Sequence, residues 1–113
     1  MQPEAITDPR AYVAGNSVLQ SAPLVPEIML HLADERAPLW TKTQRDLWDD
    51  GIVLPYWAFA WAGGQALARL LLDEPDRVRS KRVLDFAAGS AIGAIAAMKA
   101  GATCVTAADI DPL

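Results

Sequence analysis

Asp85 and Asp109 are the residues whose type and spacing point most directly to chemistry. Asp85 sits in the run Arg82-Val83-Leu84-Asp85-Phe86, which reads as a buried strand, and leads into Ala87-Ala88-Gly89-Ser90-Ala91, a turn of small residues only. Asp109 stands 20 residues beyond Gly89, at the end of a second strand-like run, in Ala107-Ala108-Asp109-Ile110-Asp111-Pro112. In dinucleotide-type folds an acid at about that spacing reaches the hydroxyls of a ribose. A carboxylate only accepts hydrogen bonds and can take both hydroxyls at once. Small residues in the turn let backbone approach a ligand closely. The competing reading of Asp109 and Asp111 is a solvated turn before Pro112. For Asp85 it is an acid at the N-terminus of the next helix, where negative charge is stabilised. At Asp85 the two roles are compatible.

The small-residue turn does not carry the nicotinamide fingerprint. That pattern needs glycines at relative positions one, three and six. Counting from Ala87 gives Ala, Gly, Ile, and counting from Ala88 gives Ala, Ser, Gly. A nicotinamide-dependent oxidoreductase is disfavoured by this register. Asp85 would also repel a pyrophosphate. S-adenosylmethionine has no phosphate and carries a sulfonium cation, so acids around it are favourable.

The elements that must hold these residues are legible in the last third. Ile92 to Ala100 is an alanine-rich helix, closed by Gly101 as a left-handed cap. Ala102 to Ala108 is a second strand. Such a strand–helix–strand unit makes a right-handed crossover between parallel strands. Ligands bind at the C-terminal ends of strands in open α/β sheets. A lone parallel pair is not a stable sheet, since parallel strands need covered faces and more neighbours. The chain ends at Leu113, right after the second strand, which reads as truncation of a larger doubly wound domain. The alternative is a small complete domain closed by the N-terminal helices.

Upstream, Pro55-Tyr56-Trp57-Ala58-Phe59-Ala60-Trp61-Ala62-Gly63-Gly64 is aromatic and glycine-rich. Trp57, Phe59 and Trp61 at a two-residue spacing share one face of an extended segment, as core anchors or as a lid. Gln65 to Asp73 follows as an amphipathic helix with Leu67, Leu70 and Leu71 on one side, ended by Glu74-Pro75-Asp76. Nearer the start, Asp8-Pro9 predicts a helix over Pro9 to Leu19. Ala22-Pro23-Leu24-Val25-Pro26 is an extended connector, and Glu27 to Ala33 fits a strand or a short helix. A further helix over Pro38 to Asp49, stopping at Gly51, puts Trp40 and Trp48 on one buried face.

Composition bounds the rest. One domain is the expectation for 113 residues with 52% hydrophobic and 21% charged content. A net charge of −4 offers no basic stripe for nucleic acid. Arg77, Arg79, Lys81 and Arg82 read as a solvated turn and strand edge. Cys104 is the single cysteine, so no intrachain disulfide forms, and it reads as a buried, inert thiol. His31 is the single histidine, which leaves a metal site without a second ligand of its kind. There is no secretory pattern at the start and no run long enough to span a membrane. The cytoplasm is the default location, or an organelle matrix if a presequence was removed.

Two motifs then carry a resemblance. Val83-Leu84-Asp85-Phe86-Ala87-Ala88-Gly89-Ser90-Ala91 resembles the first motif of class I methyltransferases, and Ala108-Asp109-Ile110-Asp111-Pro112 resembles the second. Pro26-Glu27-Ile28 with Leu30-His31-Leu32-Ala33, and the segment from Pro55 through Ala68, resemble the electron-transfer-flavoprotein beta-subunit lysine methyltransferases. These are seven-β-strand relatives of the ribosomal-protein lysine methyltransferases, and bacterial members are often labelled nicotinamide N-methyltransferase-like. The resemblance implies an α/β, Rossmann-like class I methyltransferase fold, here partial: N-terminal helices plus the first β-α-β unit. Residues 1–52 would be a mostly helical extension and residues 53–113 the front of the cofactor domain. It implies S-adenosyl-L-methionine as cofactor and methyl transfer to a protein lysine. The substrate would be electron-transfer flavoprotein beta subunit or a ribosomal protein, with no nucleic-acid or membrane partner.

The resemblance also assigns roles. Asp85 and Gly89, with Ala87 in the same turn, would line the cofactor's methionine end. Asp109 would hold the ribose, Ile110 would pack on adenine, and Trp61 and Gly63 would form part of a lid. The family has glycines where this chain has Ala87 and Ala91. If position 91 needs a positive φ, alanine costs about 1–2 kcal/mol there. The family's substrate-side motif falls beyond Leu113, so no catalytic residue is assigned. The second functional reading is a non-catalytic module that associates with another chain, or with itself, through its open sheet edge.

Overall fold

The computed structural model describes residues 6–50 and 55–113. The expected helix stop at Gly51 and the expected boundary between residues 52 and 53 lie outside the described residues. Helix α1 spans Pro9–Asn16, with the Asp8 carboxylate accepting from the Ala11 N–H at 3.0 Å. It stops three residues short of Leu19, because Val18 and Leu19 enter strand β1, Val18–Ala22. Strand β2, Val25–Leu32, pairs antiparallel with β1 in the register Val18↔Leu32 to Ser21↔Met29. The expected connector is therefore a hairpin, turning at Pro23-Leu24. Alternation explains the strand: Ile28, Leu30 and Leu32 are buried, while Met29 and His31 face outward.

The single helix expected over Pro38 to Asp49 is two, α2 (Pro38–Thr41) and α3 (Gln44–Asp49). Thr43 breaks it by forming a capping box with Asp46, an N-terminal signal inside the run. Leu39 and Leu47 are buried, and Trp40 and Trp48, one residue on, are 56% and 52% exposed. The shared buried tryptophan face is thus corrected. A 3₁₀ turn, Tyr56–Ala58, precedes helix α4, Ala62–Asp73. Its buried residues are Gln65, Ala68 and Leu71, so Leu67 does not share the core face.

Strand β3 (Arg82–Phe86), helix α5 (Ile92–Lys99) and strand β4 (Cys104–Ala108) form the expected unit, with the strands parallel from Arg82↔Cys104 to Phe86↔Ala108. Gly101 after α5 has φ +95°, the left-handed cap. Val83 and Val105 pack against the core with Ile92, Ala96 and Ala97 of α5. The same core takes Ala22, Val25, Ile28 and Leu30 from the hairpin and Ala68 and Leu71 from α4. Fully buried side chains such as Ile28 and Val25 contribute about 1.5–3 kcal/mol each.

The opposite face of the parallel pair is open: β3 is only half covered, and Leu84 and Phe86 point outward. Cys104 is exposed too, which corrects the expectation of a buried thiol. A second cluster joins Leu39, Leu47, Trp57 and Ala58 with Tyr12, Val13 and Leu113. It brings α1 up to the chain end that follows β4.

Candidate functional site

A cleft of about 1060 Å³ opens at the C-terminal ends of β3 and β4. That volume lies at the upper end for small-molecule sites. Its lining brings together Asp85, Ala87, Gly89, Asp109, Ile110 and Trp61 from the expected set. Gly63 is left out. It sits exposed on the first turn of α4, and Gly64 lines the cleft instead. Gly64 lets α4 and α5 approach closely, since a Cβ there would lie 3.0 Å from Ile92 Cγ2.

Asp109 is locked by its own neighbourhood. The Gly89 N–H donates to its Oδ2 at 2.7 Å, and the Asp111 N–H donates to its Oδ1 at 2.9 Å. The Asp111 and then the Gly89 backbone bonds hold its carboxyl below the usual carboxylate range. Each oxygen keeps a second acceptor site, so the carboxylate can still take a pair of hydroxyls. Ile110 beside it is fully exposed, a bare apolar surface at the rim.

Asp85 does what the capping alternative describes and also lines the cleft. Its Oδ2 accepts from the Ala94 N–H at 2.9 Å, inside the first turn of α5. Gly93 makes room for this bond, because a Cβ there would lie 3.3 Å from Asp85 Oδ2. Between the two aspartates the turn is left-handed at Ala87 (φ 57°), Gly89 (φ 55°) and Ala91 (φ 62°). The condition set for position 91 is met. Each alanine carries about 1–2 kcal/mol of strain that glycine would not.

The aromatic segment divides. The 3₁₀ turn breaks the extended face expected of Trp57, Phe59 and Trp61. Trp57 is buried in the second cluster, while Tyr56 and Trp61 line the cleft. The Trp61 Nε1–H donates to the Tyr56 carbonyl at 3.0 Å, and the two rings lie 5.9 Å apart.

Sequence reasoning missed Tyr56, Gly64 and Leu67, although all three lie in or next to the aromatic-glycine segment. It also missed Ile6 and Pro9, which reach the cleft from the far end of the chain. No local pattern signals that contact. Elsewhere His31 Nδ1 lies 3.1 Å from Ser17 Oγ. Among the described residues no group of three or more His, Cys, Asp or Glu is placed to hold a metal.

Comparison with known proteins fits this geometry. Residues 66–113, which hold β3, α5, β4 and both aspartates, match the family described as ribosomal protein L11 methyltransferase (PrmA). The chain is 45% identical to the electron transfer flavoprotein beta subunit lysine methyltransferase of Xenopus laevis over 115 residues, 100% of this chain and 46% of that protein. Along its whole length the chain is therefore similar to protein methyltransferases. Methyltransferases of the same description from Rattus norvegicus and Homo sapiens are each 47% identical over 105 residues. Those matches cover 92% of this chain and 40% and 39% of the relatives. The chain thus spans less than half the length of these methyltransferases. No solved structure matches it.

Proposed function

We propose that this chain forms the S-adenosylmethionine-binding front half of a protein-lysine methyltransferase. The observation that carries this is the charge of the cleft. Asp85, Asp109 and Asp111 line it, and among the described residues no Lys, Arg or His does. An acidic cleft attracts a sulfonium cation and repels a pyrophosphate. The residues present also fit the rest of the group. Asp109 has free acceptor sites for ribose hydroxyls, and Ile110 offers apolar surface for a base.

When bound, S-adenosylmethionine supplies an electrophilic methyl. The chain's own residues hold and orient. Asp109 fixes the sugar, and Gly89 fixes Asp109. Asp85 adds negative charge beside the turn while tying that turn to α5. Trp61 and Tyr56 wall off solvent at the rim. Methyl transfer of this kind depends strongly on positioning, which these contacts supply. The relatives' names make electron transfer flavoprotein beta subunit the first substrate to test, and the family match makes ribosomal protein L11 the second.

The test is parallel calorimetric titration with S-adenosylmethionine and with NAD. Saturable binding of the first alone supports the reading. Binding of NAD, or of both equally, sinks it.

A second reading rests on the outer face of the β3–β4 pair, where Leu84 is 62% and Phe86 82% exposed. An uncovered apolar sheet face favours association with another chain. Light scattering across a concentration series reads this directly, and a monomer throughout counts against it.

A further inference from the structure

Gln65 is the one buried polar side chain among the described residues, only 8% exposed. A buried amide is costly unless its hydrogen bonds are made. Here they are. Its Oε1 accepts from the Leu24 N–H at 2.9 Å, and its Nε2 donates to the Ala60 carbonyl at 2.6 Å. Those partners settle the amide's orientation, because a backbone N–H only donates and a carbonyl only accepts. The Gln65 backbone N–H also donates to the Trp61 carbonyl at 3.0 Å.

The Ala60 and Trp61 carbonyls belong to the two peptide groups that flank the Trp61 Cα. One residue therefore holds both peptide planes around Trp61, while the Tyr56 carbonyl holds the indole at 3.0 Å. We infer that Gln65 is a positioning residue, which sets the Trp61–Tyr56 wall of the cleft and braces it against the hairpin turn at Leu24. The inference rests on the adenosyl reading of the cleft.

A plainer role would be docking of the hairpin alone. Arg69, one turn along α4, separates the two roles. It donates to the Leu24 carbonyl at 3.3 Å and to Glu27 at 3.0 Å. It thus tethers the same turn without touching Ala60.

The experiment follows the Trp61 indole N–H by NMR, assigned with Trp61→Phe, and titrates S-adenosylhomocysteine into the same samples. Gln65→Met removes both side-chain bonds. Gln65→Glu keeps the acceptor for Leu24 and loses the donor to Ala60, and it serves if the methionine variant does not fold. Both variants are expected to speed indole exchange by roughly tenfold and to raise the dissociation constant by about fivefold or more. Arg69→Met is expected to leave both readouts at wild type. Unchanged indole exchange in a folded Gln65 variant overturns the inference. So does faster exchange with unchanged affinity, or an Arg69→Met variant that behaves like Gln65→Met. If the wild-type chain binds no S-adenosylhomocysteine, the adenosyl reading fails by itself, and indole exchange alone decides whether Gln65 holds the wall.

Discussion

Replacing Ala91 with glycine should stabilise the protein, although it deletes a side-chain carbon. Ala91 is the N-cap of α5, with φ 62° and ψ 24°, and it makes no side-chain cap bond. The left-handed region costs an alanine about 1–2 kcal/mol relative to glycine. Glycine loses about 0.5–1 kcal/mol more backbone entropy on folding. Glycine is also the better N-cap residue, though that preference overlaps with the backbone term. The net gain is on the order of 1 kcal/mol, which raises the melting temperature by about 4–8 °C for a small domain. Urea denaturation followed by far-UV circular dichroism measures it. Gly63→Ala is the control with the opposite chemistry. Gly63 is helical, and a Cβ there meets nothing within 4 Å, so here alanine should gain by a few tenths of a kcal/mol. If Ala91→Gly destabilises, position 91 is not left-handed and the account of the turn is wrong.

Other outcomes follow from the same geometry. Gly64→Ala puts a Cβ 3.0 Å from Ile92 Cγ2 and should cost about 1–3 kcal/mol in a urea melt; a neutral result contradicts the close α4–α5 approach. The Asp109 carboxyl is held below its free value of 3.8 by the Asp111 and then the Gly89 N–H. A lowered folded-state value adds stability above the free value and loses it as pH falls through the folded value. S-adenosylhomocysteine affinity should therefore hold down to about pH 4 and fall below the free value; a loss with its midpoint above 3.8 would exclude Asp109 as the titrating group. Cys104 is exposed on the outer sheet face, so a thiol reagent should label it in the native state at a rate near that in urea. Strong native-state protection would mean that something covers that face.

The last third of the chain was legible because its signals are local. An apolar run, a small-residue turn, an alanine-rich helix and a glycine cap follow one another from Arg82 to Ala108, and the observed bounds differ by only one or two residues. Spacing singles out Asp85 and Asp109, and the spacing has a physical counterpart, since the Gly89 N–H donates to Asp109. In the N-terminal half long-range pairing overrides local preference. Pro23 and Pro26 suggested a stiff connector, and only the pairing of Val18 with Leu32 reveals a hairpin. The spacing of Trp40 and Trp48 puts them on one expected buried face, yet Leu39 and Leu47 occupy the core because Thr43 restarts the helix. Gln65 opens the helix expected from Gln65 to Asp73, and nothing local singles it out. Its role depends on Leu24, 41 residues away, and no local pattern carries that.

The central claim is that Asp109, held by Gly89, binds the sugar of an adenosyl sulfonium ligand. The most direct measurement is calorimetric titration of S-adenosylhomocysteine into the wild-type chain and into Asp109→Ala. The account predicts saturable one-to-one binding that weakens by roughly 10- to 100-fold in the variant, the scale of hydrogen bonds lost to a charged acceptor. Equal affinity for the two proteins would contradict it.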